Sequence, residues 1–288
     1  MATLSDFKTD EKSWWCPGCG DFGVLAALEK ALVEVGSDPS TTAIIAGIGC
    51  SGKIGNYINS YNLHVTHGRT LPSAMGVKLA NRNLTVLAVG GDGDAYAIGM
   101  GHFMHALRRN VNLTYIVMDN HVYGLTKGQT SPTSESGFHT KTSPDGNLDH
   151  PVHPLMLAVA GGATFVAQGF SSWQPQLTDL IVKGLKHPGF SLINVISPCV
   201  TYNRVNTYDW YKKTLVNLDQ DPDYRPSSRA IALARLEETN ELVTGMIYQE
   251  ASQAYEDLIP GFSSEPLVSR QDWHIEKQVW NQILDQFE

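Results

Sequence analysis

The chain has 288 residues, of which 42% are hydrophobic and 17% charged, and its net charge is −8. This hydrophobic content supports a folded core and excludes global disorder, and the negative charge argues against a nucleic-acid-binding protein. No stretch approaches the roughly 20 consecutive apolar residues of a membrane-spanning helix, and the N-terminus lacks the apolar segment of a signal peptide. We therefore expect a cytoplasmic protein that binds neither nucleic acid nor membranes and whose four cysteines form no disulfides.

Apolar patterns over the first 200 residues alternate between helix and strand. Helices are expected at residues 22–35, 72–82, 95–109, 154–162 and 173–187, and strands at 41–49, 84–90, 112–119, 163–168 and 191–197. The apolar face of the first helix is expected to contain Phe22, Leu25, Leu28, Leu32 and Val35. Apolar strands that alternate with helices predict an α/β fold with a parallel sheet covered on both faces. Ligands of such sheets bind at the carboxyl ends of the strands.

Two regions interrupt this alternation. Residues 124–150 are rich in Gly, Ser, Thr and Pro, which is typical of a lid, a binding loop or a disordered segment. The C-terminal part is more polar, and amphipathic helices are expected near 236–257 and 273–287. We divide the chain into an α/β domain at 1–200, including an N-terminal Cys-x-x-Cys arm, and a C-terminal extension at 201–288 that packs on the core or on a partner.

The segment GIGCSGKI at 47–54 follows a predicted strand and allows three interpretations. Its glycines match a dinucleotide-binding motif, but residues 39–91 contain no acidic residue that could bind a ribose. It also nearly matches a nucleotide-binding P-loop, and Asp92 could serve as the acidic residue of the Walker B motif. However, Ile54 stands where a P-loop has the hydroxyl that binds Mg²⁺. The third interpretation is a turn without a ligand. The charged residues of this region are all basic, which suits an anionic ligand such as a phosphate ester; they are Lys53, Arg69, Lys78 and Arg82.

The four cysteines allow a shared metal site. Cys16 and Cys19 form a Cys-x-x-Cys motif, but polar residues precede it where a thioredoxin-like fold needs a strand. Cys50 and Cys199 each follow a predicted strand, so in a parallel sheet both lie at the same edge. An N-terminal arm folded across that edge would bring four thiolates together, as in a zinc site or an iron–sulfur cluster. Alternatively, Cys50 and Cys199 are ordinary buried cysteines.

A Gly-Asp-Gly turn and an asparagine follow two neighbouring predicted strands. Asp92 and Asn120 are placed at the carboxyl ends of these strands, where their oxygens can hold Mg²⁺ and leave sites for diphosphate oxygens. Gly91 and Gly93 allow the backbone to approach a phosphate closely. Turn glycines and a helix-capping aspartate would explain Gly-Asp-Gly alone, but they would not explain the paired asparagine.

Gly-Asp-Gly followed by Asn resembles the thiamine-diphosphate fingerprint, and the surrounding residues narrow this resemblance. Six segments are similar, in this order, to the β subunit of 2-oxoacid:ferredoxin oxidoreductases. They are WCPGCG at 15–20, GIGCSGK at 47–53, THGRTLPSAMGVKLAN at 66–81, GGDGDAYAIG at 90–99, MDNHVYGLTKGQTSPTS at 118–134 and SPC at 197–199. The likeness runs from about residue 12 to residue 205 and fades in the C-terminal part.

The resemblance implies that this chain is the cofactor-binding half of an αβ heterodimer, with thiamine diphosphate, Mg²⁺ and one [4Fe–4S] cluster. The implied cluster ligands are Cys16, Cys19, Cys50 and Cys199. The implied Mg²⁺ ligands are Asp92, Asn120 and the backbone carbonyl of Val122. The implied cofactor-binding residues are Gly49, Cys50, Ser51, Gly52, Lys53, His67, Gly91, Asp92, Gly93, Asp94, Asn120, Val122, Tyr123, Gly124, Leu125 and Thr126.

The family's reaction decarboxylates a 2-oxoacid oxidatively with coenzyme A, gives acyl-CoA and CO₂, and reduces ferredoxin. Thiamine diphosphate supplies the electron sink for this decarboxylation. A nearby one-electron acceptor is also required, and an iron–sulfur cluster can provide it whereas zinc cannot. In this family the carboxylate that activates the cofactor comes from the α subunit, so we expect this chain to be inactive alone.

The candidate catalytic residues are Lys53, His67, Arg69 and Lys127. The three cations among them are the side chains best placed in the sequence to meet substrate carboxylates. Lys53 can meet the second carboxylate of 2-oxoglutarate, which favours this substrate over pyruvate, but it can equally be a structural lysine beside the phosphates. A P-loop-like nucleotide-binding protein and a zinc-stapled interaction module without enzymatic activity remain the alternative functions.

Overall fold

A computed structural model describes residues 2–260, 265–269 and 275–287 of the chain. The strands in these residues are β1 (Thr42–Ala46), β2 (Tyr61–His64), β3 (Thr85–Gly91), β4 (Leu113–Asp119), β5 (Phe165–Phe170), β6 (Phe190–Ile196), β7 (Val216–Asn217) and β8 (Val243–Gln249). They form one sheet in the order β2-β1-β3-β4-β6-β5-β8-β7. The pairs from β2 to β5 are parallel, β8 is antiparallel to β5, and β7 is parallel to β8.

Helices cover both faces of this sheet, as predicted. The α-helices are α1 (Asp21–Glu34), α2 (Ile54–Tyr57), α3 (Thr70–Ala80), α4 (Met100–Arg109), α5 (Pro154–Ala160), α6 (Gln174–Lys186), α7 (Tyr208–Thr214), α8 (Arg229–Glu238), α9 (Tyr255–Leu258) and α10 (Lys277–Leu284). Helices α1, α2 and α6 pack on one face with Ile44 and Ile116, and α3, α4, α5 and α8 pack on the other with Ile45 and Val117. Successive strand residues point to opposite faces, so continuous apolar strands supply both cores. No helix of the described residues is long and apolar enough to cross a bilayer.

The buried face of α1 agrees with the predicted one except at Phe22. Leu28 and Leu32 are buried, and Leu25 and Val35 pack partly buried against the same core. Phe22 is 39% exposed, and its ring packs edge-on against Trp15. The other buried apolar residues of the helix are Val24, Ala27 and Ala31.

The predicted helix at 236–257 is wrong. Helix α8 ends at Glu238, and Asn240 and Glu241 then take the left-handed conformation with φ of 50° and 60°. The following residues form β8, which pairs with the outer edge of β5. The short strands β2 and β7 were not predicted either. Helix α10 agrees with the predicted helix at 273–287 as far as the chain is described, since residues 273 and 274 lie outside the described part.

The division of the chain at residue 200 remains a prediction, and the position of β8 makes it testable. A chain that ends at Val200 lacks β8 and leaves the outer edge of β5 unpaired. Unpaired, apolar strand edges promote aggregation. We expect most of this shortened chain in the insoluble fraction on expression, whereas a control chain that ends at Pro260 keeps all of the strands described above and stays soluble. A soluble, folded 1–200 fragment would show instead that the extension is dispensable for folding.

A second prediction concerns Glu241, whose side chain accepts a hydrogen bond from the backbone N–H of Met156 (2.7 Å) at the start of α5. Burial raises the pKa of Glu241 to about 8. Because the folded state then holds a proton that the unfolded state releases near pH 4.5, stability falls as the pH rises from about 4.5 through 8. Glu241→Gln cannot ionise, so its urea midpoint should fall less than that of the unmodified chain between pH 5 and 8.5. The exposed Glu237→Gln is the control, and parallel curves for all three proteins would contradict the prediction.

Candidate functional site

A cleft opens at the carboxyl ends of β1, β3 and β4. Its walls are formed by Ile48, Gly49, Cys50, Ser51, His67, Gly91, Asp92, Gly93, Asp94, Asn120, Val122, Tyr123, Gly124, Leu125 and Thr126. The structure thus brings together every residue predicted to bind the cofactor except Gly52 and Lys53. Gly52 packs behind the cleft, where a Cβ would lie 1.9 Å from the carbonyl oxygen of Gly47.

The carboxylate of Asp94 holds the walls of this cleft together. It accepts hydrogen bonds from the backbone N–H groups of Ile48 (3.0 Å) and Gly68 (2.9 Å) and from the hydroxyl of Thr70 (3.0 Å). Asp94 itself opens a short π-helical turn at Asp94–Ile98 that leads into α4. Such turns are rare and often occur at functional sites. The protein therefore uses the oxygens of Asp94 to position its own loops.

His67 lines the cleft beside this carboxylate. Its Nδ1 lies 3.3 Å from Oδ1 of Asp94, but the buried nitrogen has no partner in hydrogen-bonding geometry. The ring is part-exposed and lies 6.3 Å, between centroids, from the ring of Tyr123. The Nδ1 nitrogen of His67 therefore makes no hydrogen bond within the described part of the protein.

Asp92 is the buried carboxylate at the floor of the cleft. Its Oδ2 lies 2.9 Å from the hydroxyl of Thr133, which also lies 2.8 Å from Oδ1 of Asp119. Burial, and next the charge of Asp119, raise the pKa of Asp92 to about 7. A buried carboxylate beside a second carboxylate is stabilised by a bound cation, so Asp92 fits a cation ligand.

Asn120 and Val122 reach the same cleft through a tight turn. The side-chain oxygen of Asn120 accepts the backbone N–H of Val122 at 3.0 Å, and His121 between them is left-handed with φ of 59°. Together with Asp92, this turn offers carboxylate, amide and carbonyl oxygens, which are the donors that Mg²⁺ prefers. The donor set therefore fits the predicted magnesium site.

Two glycines of the cleft wall are required by the packing of its own side chains. A Cβ at Gly93 would lie 2.1 Å from the Tyr123 ring, and one at Gly91 would lie 3.0 Å from the hydroxyl oxygen of Ser51. A side chain at Gly93 is therefore excluded, and one at Gly91 would crowd Ser51. Both glycines thus let neighbouring side chains pack against bare backbone.

The N-terminal arm folds across the sheet edge and brings the Cys-x-x-Cys motif to the loop after β6. The N–H of Gly20 donates to the carbonyl of Pro198 (3.2 Å), and the indole of Trp15 donates to the carbonyl of Cys50 (2.7 Å). A Cβ at Gly124 would lie 3.5 Å from the sulfur of Cys50 and 3.8 Å from that of Cys199. Both sulfurs therefore lie close to Gly124 in the cleft wall, which Cys50 also lines.

Cys19, Cys50 and Cys199 are partly buried near a carboxylate, and Cys16 is exposed. Burial, followed by the charge of Asp21, raises the pKa of Cys19 and raises that of Cys50 to about 11, and Cys199 adds to both effects. Asp21 is itself 1% exposed and accepts the hydroxyl of Ser197 at 2.6 Å, and burial raises its pKa to about 6. Thiols in such a place become thiolates when a metal takes the proton's position. In the described part of the chain, no three His, Cys, Asp or Glu side chains are arranged to hold one metal ion.

The three candidate cations lie outside the cleft lining. Lys53 places its ammonium 5.4 Å from the centre of the Trp14 ring, and Arg69 and Lys127 are exposed. Each of the three is within two residues of a lining residue in the sequence. Lys127 is left-handed, with φ of 78°, inside the long loop at 124–150.

Sequence reasoning missed the residues that support the site from behind. Thr133 contacts the carboxylates of Asp92 and Asp119, and Asn203 donates to the carbonyl of Asn120 at 3.2 Å. The backbone N–H of Asn203 also donates to the carbonyl of Cys199. Thr133 lies in a stretch of polar residues without a periodic pattern, so no signal singled it out. The loop that contains it forms no helix or strand, as expected, yet it is tied down by side-chain hydrogen bonds.

A second cavity of about 280 Å³ lies on the far side of Asp119. Its lining includes Glu135, His153, Tyr211 and Glu241. Burial raises the pKa of Tyr211 well above its usual value, and the carboxylate of Asp119 adds to this effect. The cavity shares none of its lining residues with the cleft, so Asp119 and Thr133 form the partition between the two.

Comparison with known families agrees with this geometry. Residues 47–195 match the family described as thiamine pyrophosphate enzyme, C-terminal TPP binding domain. Residues 199–264 match the family described as the C-terminal part of the pyruvate ferredoxin oxidoreductase beta subunit. The first match contains the whole cleft, and the second begins at Cys199.

Characterised relatives resemble the chain over most of its length. It is 40% identical over 280 residues to subunit beta of 2-oxoacid:ferredoxin oxidoreductase 2 from Aeropyrum pernix, which covers 92% of this chain and 91% of the relative. It is 44% identical over 199 residues to 2-oxoglutarate synthase subunit KorB from Archaeoglobus fulgidus, which covers 69% and 74%. A solved 2-oxoglutarate:ferredoxin oxidoreductase from Magnetococcus marinus, with 2-oxoglutarate, coenzyme A and succinyl-CoA bound, superposes with a TM-score of 0.85 at 37% identity and covers 88% of this chain and 87% of that one. The chain therefore belongs to the β subunits of the 2-oxoacid:ferredoxin oxidoreductases, a family of oxidoreductases with a thiamine diphosphate-binding domain.

Proposed function

We propose that this chain is the β subunit of a 2-oxoglutarate:ferredoxin oxidoreductase, with pyruvate as the second candidate substrate. One 2-oxoglutarate, one coenzyme A and two oxidised ferredoxins would give succinyl-CoA, CO₂, two reduced ferredoxins and one proton. The observation that carries this proposal is the contact at Gly124 between the wall of the cleft and the sulfurs of Cys50 and Cys199.

The oxygen donors of the cleft support bound Mg²⁺ and diphosphate. Asp92, Asn120 and the carbonyl of Val122 would hold the cation, and the bare backbone at Gly91 and Gly93 would hold the phosphates. Thiamine diphosphate, when bound, supplies the electron sink that the decarboxylation of a 2-oxoacid requires. His67 offers a polar ring to the same cleft, where it can orient a bound group by hydrogen bonding.

The four thiols support a [4Fe–4S] cluster on Cys16, Cys19, Cys50 and Cys199. In a mononuclear zinc site all sulfurs lie about 2.3 Å from one ion, and the described residues contain no such arrangement of His, Cys, Asp or Glu. A cluster binds its four thiolates through separate irons and therefore accepts wider spacing. This favours an iron–sulfur cluster over a zinc-stapled module.

The position of Lys53 argues against the alternative of a nucleotide-binding P-loop. A P-loop lysine reaches the phosphates, whereas the ammonium of Lys53 stacks on Trp14 and does not line the cleft. The loop at 47–53 instead contributes Ile48, Gly49 and Ser51 to the cleft where the thiamine diphosphate family match begins. We therefore retain the thiamine interpretation.

The reaction we propose requires partners. An α subunit would complete the active site and supply the carboxylate that activates the cofactor, and ferredoxin would accept the electrons one at a time. The cytoplasm suits this assignment, because a reducing compartment keeps the thiols available as ligands.

The substrate assignment rests on the substrates named for similar proteins and on the positively charged residues near the cleft. Relatives include 2-oxoglutarate synthase subunits, and the Magnetococcus marinus structure contains 2-oxoglutarate. Lys53 is two residues from Ser51 in the cleft wall and is our candidate for the distal carboxylate of the substrate, although its ammonium lies on Trp14 and outside the cleft lining in this structure. Arg69 and Lys127 remain candidates for the carboxylate that both substrates share.

The cofactor assignment is tested by anaerobic purification of the chain together with its α subunit. We expect iron, sulfide and thiamine diphosphate in the complex, and an EPR signal of a [4Fe–4S] cluster after reduction. Cys199→Ser removes one proposed thiolate, so at least half of the iron and of the EPR signal should be lost. Thiamine diphosphate should remain bound, because Cys199 does not line the cleft.

The control for this variant is Thr201→Ser, at an exposed neighbour in the same loop. A folded complex that contains zinc without iron, or that binds ATP tightly through Lys53, would select one of the alternative functions. An unchanged EPR signal in Cys199→Ser would exclude Cys199 as a ligand.

The substrate assignment is tested with Lys53→Met, which keeps the length of the side chain and removes its charge. Since charge-assisted hydrogen bonds contribute about 1.5–3 kcal/mol, kcat/KM for 2-oxoglutarate should fall roughly tenfold or more, while kcat/KM for pyruvate changes little. Lys78→Met is no suitable control because Lys78 donates to the carbonyls of Arg82 and Leu84; the exposed Lys30→Met serves instead. Equal losses with both substrates would identify Lys53 as a structural lysine.

A further inference from the structure

The loop at 124–150 inserts one hydroxyl group between two buried carboxylates. The hydroxyl oxygen of Thr133 lies 2.9 Å from Oδ2 of Asp92 and 2.8 Å from Oδ1 of Asp119. All three residues are at most 4% exposed. Both distances are within hydrogen-bonding range, but a hydroxyl has a single proton. Thr133 therefore donates to one carboxylate at a time, and it holds Oδ2 of Asp92 when it donates there.

The backbone around Thr133 is held from several directions, so the hydroxyl cannot turn away easily. The hydroxyl of Ser134 donates to the carbonyl of His121 at 2.6 Å, and the side chain of Asn147 donates to the carbonyl of Ser134 at 3.1 Å. The N–H of Val152 donates to the carbonyl of Pro132 at 2.8 Å. Thr133 is therefore presented to Asp92 by an anchored stretch of the loop.

Asp119 is an anchor for this hydroxyl and not a wall of the cleft. Its Oδ2 accepts the side chain of Asn194 at 3.3 Å, and Asn194 is held in turn by Tyr96 and Gln168. Asp119 lines the second cavity and is absent from the cleft lining. The buried chain of polar groups thus runs from the centre of the sheet through Asp119 and Thr133 to Asp92.

We propose that Thr133 is a positioning residue for the magnesium site: it holds Oδ2 of Asp92 so that Oδ1 faces a cation in the cleft. This inference rests on the proposed function, since it assigns Asp92 to Mg²⁺. Residues that support metal ligands in this way typically contribute 10–100-fold to metal affinity. Without the hydroxyl, the Asp92 carboxylate loses its fixed orientation, and Mg²⁺ binds more weakly although every ligand is still present.

The experiment titrates Mg²⁺ into the metal-depleted complex of this chain and its α subunit at a constant, saturating concentration of thiamine diphosphate. Bound thiamine diphosphate is measured by equilibrium dialysis, and the melting temperature is measured on each protein. Thr133→Val keeps the shape of the side chain and removes the hydroxyl, so its half-saturating Mg²⁺ concentration should rise roughly tenfold or more while the plateau of bound thiamine diphosphate is unchanged. Thr133→Ser restores the hydroxyl and should titrate like the unmodified complex.

The matched control is Thr244→Val, because Thr244 is fully buried and its hydroxyl has no hydrogen-bond partner. A Mg²⁺ titration of Thr133→Val that coincides with that of the unmodified complex would overturn the inference. An equal shift in Thr133→Ser would do the same, because it would show that packing and not the hydroxyl matters. If Thr133→Val does not fold, Thr133→Ala is titrated with the same expectation. An unmodified complex that binds no thiamine diphosphate at any Mg²⁺ concentration would overturn the proposed function itself.

Discussion

The cleft depends on one buried carboxylate, that of Asp94, which accepts hydrogen bonds from two other parts of the chain and links them to its own. Ile48 follows β1, Gly68 precedes α3 and Thr70 begins it, and Asp94 itself follows β3. Hydrogen bonds to a charged group contribute about 1.5–3 kcal/mol each, so this side chain is a strong constraint on three loops. Gly47 is part of the same arrangement, because a Cβ there would lie 2.3 Å from the carboxylate.

The part of the site that could be predicted from the sequence is the part that follows strand ends. Strands β3 and β4 are apolar, parallel and adjacent, so the residues after them must meet at one edge. Asp92 and Asn120 could therefore be paired without any knowledge of the loops. The same reasoning placed Cys50 beside Cys199, and only the fold of the N-terminal arm had to be assumed.

The parts of the fold and of the site that were not predicted depend on contacts that leave no periodic pattern in the sequence. Thr133 reaches Asp92 from a loop whose path is set by hydrogen bonds between its own polar side chains, and such bonds leave no apolar pattern. Strand β8 pairs with β5, which precedes it by more than 70 residues in the sequence. The apolar residues of β8 are equally compatible with a helix, and the left-handed turn at Asn240 and Glu241 that ends α8 could not be predicted from them. On α1 only Phe22 was placed wrongly, because its ring packs on Trp15 of the N-terminal arm, whose path the sequence did not reveal.

Gly124 lies between the cleft and Cys199, whereas Cys50 lines the cleft itself. This glycine lines the cleft, and a Cβ built on it would touch the sulfurs of both Cys50 and Cys199. A group bound by these thiols would therefore lie next to whatever occupies the cleft. Electron tunnelling weakens steeply as the distance between donor and acceptor grows. A larger residue at position 124 would place its side chain against both sulfurs.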